Sequence, residues 1–270
     1  MSLKRINKAL ISVYHKDGLE EIVKELVNGG VEILSTGGTY DFLTSKGFPV
    51  TAVEDITTYP SVFGGRVKTL HPKVFGGILY RRGNENDCKQ KEQYEIPDID
   101  LVIVDLYPFE EYVAANAPHE DIIEKIDIGG ISLIRAAAKN YNDVIIIPCS
   151  DEYGKLLEVL KGHGCASTLE ERRYFATKAF LTSSHYDTMI FDYFNTEEKI
   201  SVFDKSITRT THLRYGENPH QAGVYFGPED SLPEQIHGKE ISYNNLLEIE
   251  AAVELISDFN EPAVAVIKHN

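Results

Sequence analysis

The sequence predicts an α/β protein in which a parallel sheet is flanked by helices, and three observations carry that expectation. Strand, turn and helix alternate along the first fifty residues, the pattern of a parallel sheet built from crossover units. The best strand candidates, Ala9-Leu10-Ile11-Ser12-Val13-Tyr14 and Asp100-Leu101-Val102-Ile103-Val104-Asp105-Leu106, are nearly continuous apolar runs, as expected of strands covered on both faces. Polar loops follow the first two strands directly and open helices, and ligands of such sheets sit beyond the carboxyl ends of the strands.

The elements follow in order. After the strand at residues 9–14, the turn His15-Lys16-Asp17-Gly18 leads into Leu19, Ile22, Val23, Leu26 and Val27, an apolar stripe at helical spacing that Gly29-Gly30 stops. Val31-Glu32-Ile33-Leu34 is a second strand, then Ser35-Thr36-Gly37-Gly38-Thr39 opens a helix reaching Lys46, and residues 50–53 form a third strand. Residues 82–98 read as a charged surface excursion ending in Pro97. Tyr107-Pro108-Phe109 closes the strand at 100–106. Helices are expected at 120–126, 131–139, 151–160 and 169–194, with a strand at 144–147. A weakly patterned link at 195–206 marks a boundary, giving domains 1–200 and 201–270. The second stretch should hold a helix to Phe259 and a strand at 263–267, little enough to be marginal as a core of its own.

Composition narrows the function. With 27 basic against 42 acidic residues and a formal net charge of -15, neither nucleic acid nor an anionic membrane is expected as the main partner. Cys88, Cys149 and Cys165 are odd in number and contain no C-x-x-C, so they read as reduced thiols of a cytoplasmic protein, with no metal site expected. The apolar run at 9–13 is too short for a signal peptide or a membrane span.

Against that acidic background, residues 56–84 contain no Asp or Glu, where an even spread would put about four or five. They carry Arg66, Lys68, Lys73, Arg81 and Arg82, around Gly64-Gly65-Arg66-Val67-Lys68-Thr69-Leu70-His71-Pro72. Such a loop suits a small anionic ligand, or is simply a solvated basic loop. The loops 12–16 and 35–39 each set hydroxyls, glycines or a lysine before a helix N-terminus, where free N–H groups favour a phosphate. Neither has the spacing of a nucleoside-triphosphate loop or a dinucleotide fingerprint, so together they favour a phosphomonoester. Singly, either loop reads equally as a helix cap.

Five separated motifs then converge: the basic loop just quoted, Leu106-Tyr107-Pro108-Phe109, Ile126-Asp127-Ile128-Gly129-Gly130, Arg135-Ala136-Ala137-Ala138-Lys139-Asn140 and Arg214-Tyr215-Gly216-Glu217-Asn218-Pro219-His220-Gln221. In this order they resemble the bifunctional phosphoribosylaminoimidazolecarboxamide (AICAR) formyltransferase/IMP cyclohydrolase family. The resemblance implies a methylglyoxal-synthase-like cyclohydrolase domain followed by the start of a cytidine-deaminase-like transformylase domain. It implies that Ser12, Lys16, Thr36, Gly37, Gly38 and Thr39 hold the substrate phosphate. Arg66, Lys68, Thr69, Tyr107, Asp127, Gly129 and Lys139 would surround the base. In the second domain Arg214, Tyr215 and Asn245 match nucleotide-binding positions, and Lys268 and His269 match residues that assist formyl transfer. The family pattern has Asn where this chain has Asp105, so that residue is left out of the expected site.

The implied reaction closes the second ring of inosine monophosphate (IMP) from a formylated precursor, FAICAR, without a cofactor; 10-formyltetrahydrofolate would serve the transformylase, and a homodimer is implied. Ring closure needs positioning first, then a donor for the formyl oxygen that leaves as water. Lys68 and Lys139 are the expected stabiliser and acid, with Asp127 orienting Lys139 or taking the amide proton and Tyr107 positioning the base. Each has a plainer reading: Tyr107 as a packing anchor, Asp127 as the cap of the next helix, Lys139 as a cationic helix end. His71 reads as structural, and His119, His163 and His237 lack ligand spacing. A regulatory phosphate-binding module and methylglyoxal synthase are the competing readings.

Overall fold

The computed structural model describes residues 3–63, 67–228 and 231–268. Arg66, Gly64, Gly65 and His269, all singled out by the sequence, lie outside the described residues. The chain divides into two units, Met1–Val202 and Phe203–Asn270.

In the first unit the elements run β1 (Lys4–Arg5), β2 (Lys8–Val13), α1 (Leu19–Asn28), β3 (Glu32–Ser35), α2 (Gly37–Ser45), β4 (Val50–Ala52), α3 (Val53–Thr57) and α4 (Pro72–Leu79). They continue with α5 (Glu85–Gln93), β5 (Leu101–Asp105), α6 (Phe109–Ala114), α7 (His119–Ile123), α8 (Gly129–Lys139), β6 (Ile145–Ile147), a 3-10 turn at Ser150–Glu152, α9 (Tyr153–His163), β7 (Ala166–Ser167) and α10 (Leu169–Glu198). The main sheet has the order β4-β3-β2-β5-β6 and is parallel throughout. Strand order reverses between β2 and β5, so the crevice of an open α/β sheet falls at their carboxyl ends. β1 pairs antiparallel with β7 to tie the N-terminus down.

Helices cover both faces because the crossovers on either side of that reversal run in opposite directions with the same hand. α1 packs against α9, while α8 packs against α10 and α4. The stripe Leu19, Ile22, Val23 and Leu26 is wholly buried, as are Leu10, Ile11 and residues 101–103 of β5. Burial at about 25 cal/mol per Å² of apolar surface is what holds this sheet.

In this unit the structure departs from the sequence reading in three places, and His71 is structural as expected. Residues 82–98 are a surface excursion as expected, since α5 buries none of its residues, but they hold a helix: Asn84 accepts hydrogen bonds from the backbone of Asn86 and Asp87, each at 3.0 Å, and so starts α5 on an otherwise polar sequence. A helix not expected from the sequence, α4, opens at Pro72, because a first-turn proline forfeits no helical hydrogen bond. His71 caps that helix, accepting from Lys73 N–H at 3.1 Å. α8 begins at Gly129, so Gly129-Gly130 lie inside a helix expected to start only at residue 131.

In the second unit, β8 (Thr210–Leu213) and β9 (Gly223–Phe226) form an antiparallel hairpin, and α11 (Tyr243–Ser257) follows. The strand expected at 263–267 is absent: Val264 and Val266 are more than nine-tenths exposed, with no strand paired to them among the described residues. An apolar alternation makes a strand only where a neighbour accepts its hydrogen bonds.

Candidate active site at the sheet's carboxyl edge

The carboxyl end of β2 carries the loop 12–16, folded back on itself. Lys16 Nζ donates to the backbone carbonyls of Val13 and of Tyr14, the latter at 2.9 Å, and lies 3.3 Å from Thr39 Oγ1. Burial lowers the proton affinity of Lys16, and the nearby Asp105 carboxylate works against that. Thr39 also joins the two loops, accepting from Val13 N–H at 3.1 Å and donating to Val13 O at 2.9 Å. Thr36 N-caps α2 in extended conformation, but its hydroxyl donates to Glu54 at 3.1 Å. The hydroxyls of Thr36 and Thr39 therefore shape the loops, and the first N–H groups of α2, at Gly37, Gly38 and Thr39, are the ones a helix leaves without an internal acceptor.

Lys68 reaches this place from the basic loop. A Cβ on Gly37 would come within 2.9 Å of Lys68 Nζ, which places the ammonium at the start of α2, and the positive φ of Gly37, 54°, is what favours glycine there. The next residue, buried Thr69, turns the other way, and a Cβ on Gly129 would meet its hydroxyl at 3.2 Å. Two neighbouring side chains thus span from the phosphate-type loop to the N-terminus of α8. Three other cations of the window face acids from elsewhere in the chain: Arg81 pairs with Asp87 at 2.8 Å, Arg82 with Asp100 at 2.9 Å and Lys73 with Glu95 at 3.9 Å. Part of the charge of the acid-free window is therefore balanced outside the basic loop, and Lys68 is the loop cation that reaches the start of α2.

Asp127 sits at the start of α8 and accepts from Gly130 N–H at 2.6 Å. Burial raises its carboxyl above the ordinary range, while backbone N–H groups of Gly130, Tyr107 and Ile131 favour the charged form. The capping role is therefore real, and it also fixes Asp127 beside Tyr107. Tyr186 pins this turn from α10, accepting from Asp127 N–H at 2.9 Å and donating to Lys125 O at 2.6 Å.

Tyr107, 42% exposed, stands edge-to-face with Tyr14 at 5.6 Å. The Lys125 ammonium lies over both rings and over Tyr112, the last at 4.5 Å.

Lys139 does not join this group. It ends α8, ten residues beyond Gly129 and so about 15 Å along the helix axis, and it is exposed. Asp127 cannot orient it within one chain, which corrects that expectation. Sequence reading missed Asp105, His15 and Lys125. The first two hydrogen-bond each other across the switch-point crevice, a place the strand order identifies but spacing does not.

In the second unit, Arg214 stacks on Tyr215 at 4.7 Å and donates to its hydroxyl at 2.9 Å. Tyr215 O accepts from Tyr243 N–H, and Asn245 closes a capping box with Ser242. Arg214 and Tyr215 thus meet the start of α11, whereas Lys268 lies exposed on a stretch without regular structure. Among the described residues there is no group of three His, Cys, Asp or Glu side chains able to hold a metal, and no helix long and apolar enough to cross a membrane.

Comparison with known proteins adds to this geometry. Residues 18–132 match the MGS-like domain family and residues 137–270 the AICARFT/IMPCHase bienzyme family. The chain is similar to the bifunctional purine biosynthesis protein PurH of Bacteroides thetaiotaomicron, 62% identical over 99% of this chain and 52% of that protein. It is 44% identical to the protein of the same description from Caldicellulosiruptor saccharolyticus, over 97% of this chain and 54% of the relative. The chain thus spans about half the length of the curated relatives it matches. A crystal structure of ForH is similar with a TM-score of 0.60 and 34% identity, covering 70% of this chain and 97% of that one.

Proposed function

Because the chain belongs to the family of bifunctional purine biosynthesis protein PurH, we propose that its first unit is an IMP cyclohydrolase that closes FAICAR to IMP. One observation carries the reading. The crevice between β2 and β5 gathers Lys16, Lys68 and the N-terminus of α2 at one end, and Tyr107, Thr69, Asp127 and Gly129 at the other. A nucleotide monophosphate has that polarity: a dianionic tail and a flat, hydrogen-bonding base.

In this reading the phosphate rests on Lys16, Lys68 and the α2 N–H groups, with Ser12 at the rim. The imidazole lies toward Tyr107. The carboxamide nitrogen attacks the formyl carbon, loses a proton, and the former formyl oxygen leaves as water once protonated. Holding both groups in one molecule at attack distance supplies most of the acceleration. Asp127, with its raised carboxyl beside Tyr107, is the group suited to take the amide proton. Lys68 is the cation of the site, and Arg66 shares its loop. Lys139 stands too far along α8 to act in the same chain, so any contribution must come through a second copy, as the expected homodimer allows. No metal or redox group is called for, and the partners are purine nucleotides of the cytoplasm. In the longer relatives, Arg214, Tyr215, Asn245, Lys268 and His269 would belong to the formyltransferase site that uses 10-formyltetrahydrofolate and AICAR.

The test is to supply FAICAR and follow IMP by absorbance. Turnover is expected, and Lys68→Ala should lower kcat/KM by about 100-fold, the usual loss of a charge-stabilising donor. Wild-type rates in that variant would overturn the assignment. The MGS-like match keeps methylglyoxal synthase as the second reading, and release of inorganic phosphate from dihydroxyacetone phosphate would favour it.

A further inference from the structure

We propose that Asp105 and His15 form a clamp that sets the shape of the phosphate loop, with His15 offsetting the carboxylate's repulsion of the bound anion; this rests on the phosphate reading above. Val13 and Asp105 are register partners, the last paired residues of β2 and β5 on either side of the switch point. Asp105 Oδ2 accepts from His15 N–H at 2.8 Å and lies 2.8 Å from His15 Nδ1. The Asp105 backbone carbonyl accepts from Tyr14 N–H at 3.2 Å. One residue at the end of a buried strand therefore holds two successive residues of the loop. An ionised carboxylate has only acceptors, so the ring proton must sit on Nδ1, whichever charge the imidazole carries.

The carboxylate acts on more than His15. Its side chain is only 13% exposed, and its charge is felt by Lys16, Asp127 and Tyr153. Toward Lys16 it favours the protonated ammonium. Toward a phosphate bound at Lys16 and the start of α2 it is repulsive. The ring N–H of His15, aimed at the same oxygen that accepts the loop's backbone N–H, weakens that repulsion without loosening the loop. Tyr153 lies beside the turn that follows this loop, where a Cβ on Gly18 would come within 3.4 Å of its ring.

The clamp makes a position-specific prediction that a general loss of structure cannot mimic. Calorimetric titration of the 270-residue chain with ribose 5-phosphate and with inosine separates phosphate binding from base binding. His15→Gln should weaken ribose 5-phosphate by about fivefold, the scale of one hydrogen bond lost from the carboxylate, and leave inosine unchanged. Adding Asp105→Asn to His15→Gln should restore affinity, because the amide oxygen still accepts the loop N–H and carries no charge. Asp105→Ala, which removes that acceptor, should weaken ribose 5-phosphate about tenfold or more. Unchanged binding in His15→Gln, no recovery in the double variant, or a parallel loss of inosine would overturn the clamp alone. Failure of the wild-type chain to bind ribose 5-phosphate would overturn the phosphate reading and the clamp with it.

Discussion

The two units of this chain contain similar apolar sequence, yet one buries it and the other does not. In the first unit, β2, β5 and β6 are enclosed on both faces, and Leu10, Ile11, Ile103 and Ile146 are fully inaccessible. In the second, Phe226, Val253, Leu255, Phe259, Val264 and Val266 are exposed, and no hydrophobic side chain among the described residues is buried. The hairpin of β8 and β9 and the capped helix α11 form on local rules alone. The difference teaches what local pattern can do without a core: it makes elements but does not stabilise them cooperatively.

Truncation of one buried and one exposed aliphatic residue should break or uphold this contrast most clearly. Ile103→Ala in β5 is expected to cost about 2–5 kcal/mol in urea unfolding of the first unit. Val266→Ala should change stability by less than about 0.5 kcal/mol. Comparable costs at the two positions would mean that the second unit has a core that burial does not reveal.

That contrast also explains what was legible in the sequence. The stripe Leu19, Ile22, Val23 and Leu26 reads correctly because it records a buried helix face, and the apolar runs of β2 and β5 read correctly for the same reason. Residues 263–267 show a similar alternation and mislead, because a strand needs a partner that periodicity cannot name. α5 was illegible for the opposite reason: it buries nothing, and only Asn84 announces it. At the site, both phosphate-type loops and Asp127 were legible as loop and helix-start residues. The pairing of Arg82 with Asp100, the 90-residue separation of His15 and Asp105, and the far-end position of Lys139 depend on tertiary placement.

A smaller effect sharpens the comparison. Among the described residues each unit has one capping box, Thr168 with Glu171 on α10 and Ser242 with Asn245 on α11. Replacing either N-cap by Ala removes about 1 kcal/mol of helix stability. α10 is packed on α8 and β6, so Thr168→Ala should lower the midpoint of cooperative unfolding of the first unit. Ser242→Ala should instead speed amide exchange at the start of α11 and leave that midpoint where it was. A shift of the midpoint by Ser242→Ala would show that the units unfold together.

The smallest expected effect concerns pH and comes from Asp127, at the start of α8 in the first unit. Burial raises Asp127 above the ordinary carboxylate value of 3.8, with the backbone N–H groups opposing. Between that value and the raised one, the folded chain binds more protons at this position than the unfolded chain does. Stability contributed by the protonated carboxyl is therefore present in acid and is lost as pH rises through the raised value. Asp127→Asn keeps an oxygen for Gly130 N–H and removes the titration. Relative to that variant, wild type should be at its best in acid and lose ground as pH climbs just above the carboxylate range, in urea unfolding at matched ionic strength. A difference that stays flat with pH, or one that moves in wild type's favour, would mean the N–H groups of Gly130, Tyr107 and Ile131 outweigh burial. Asp127 would then be fixed as an anion, a weaker proton acceptor than the proposed ring closure asks of it.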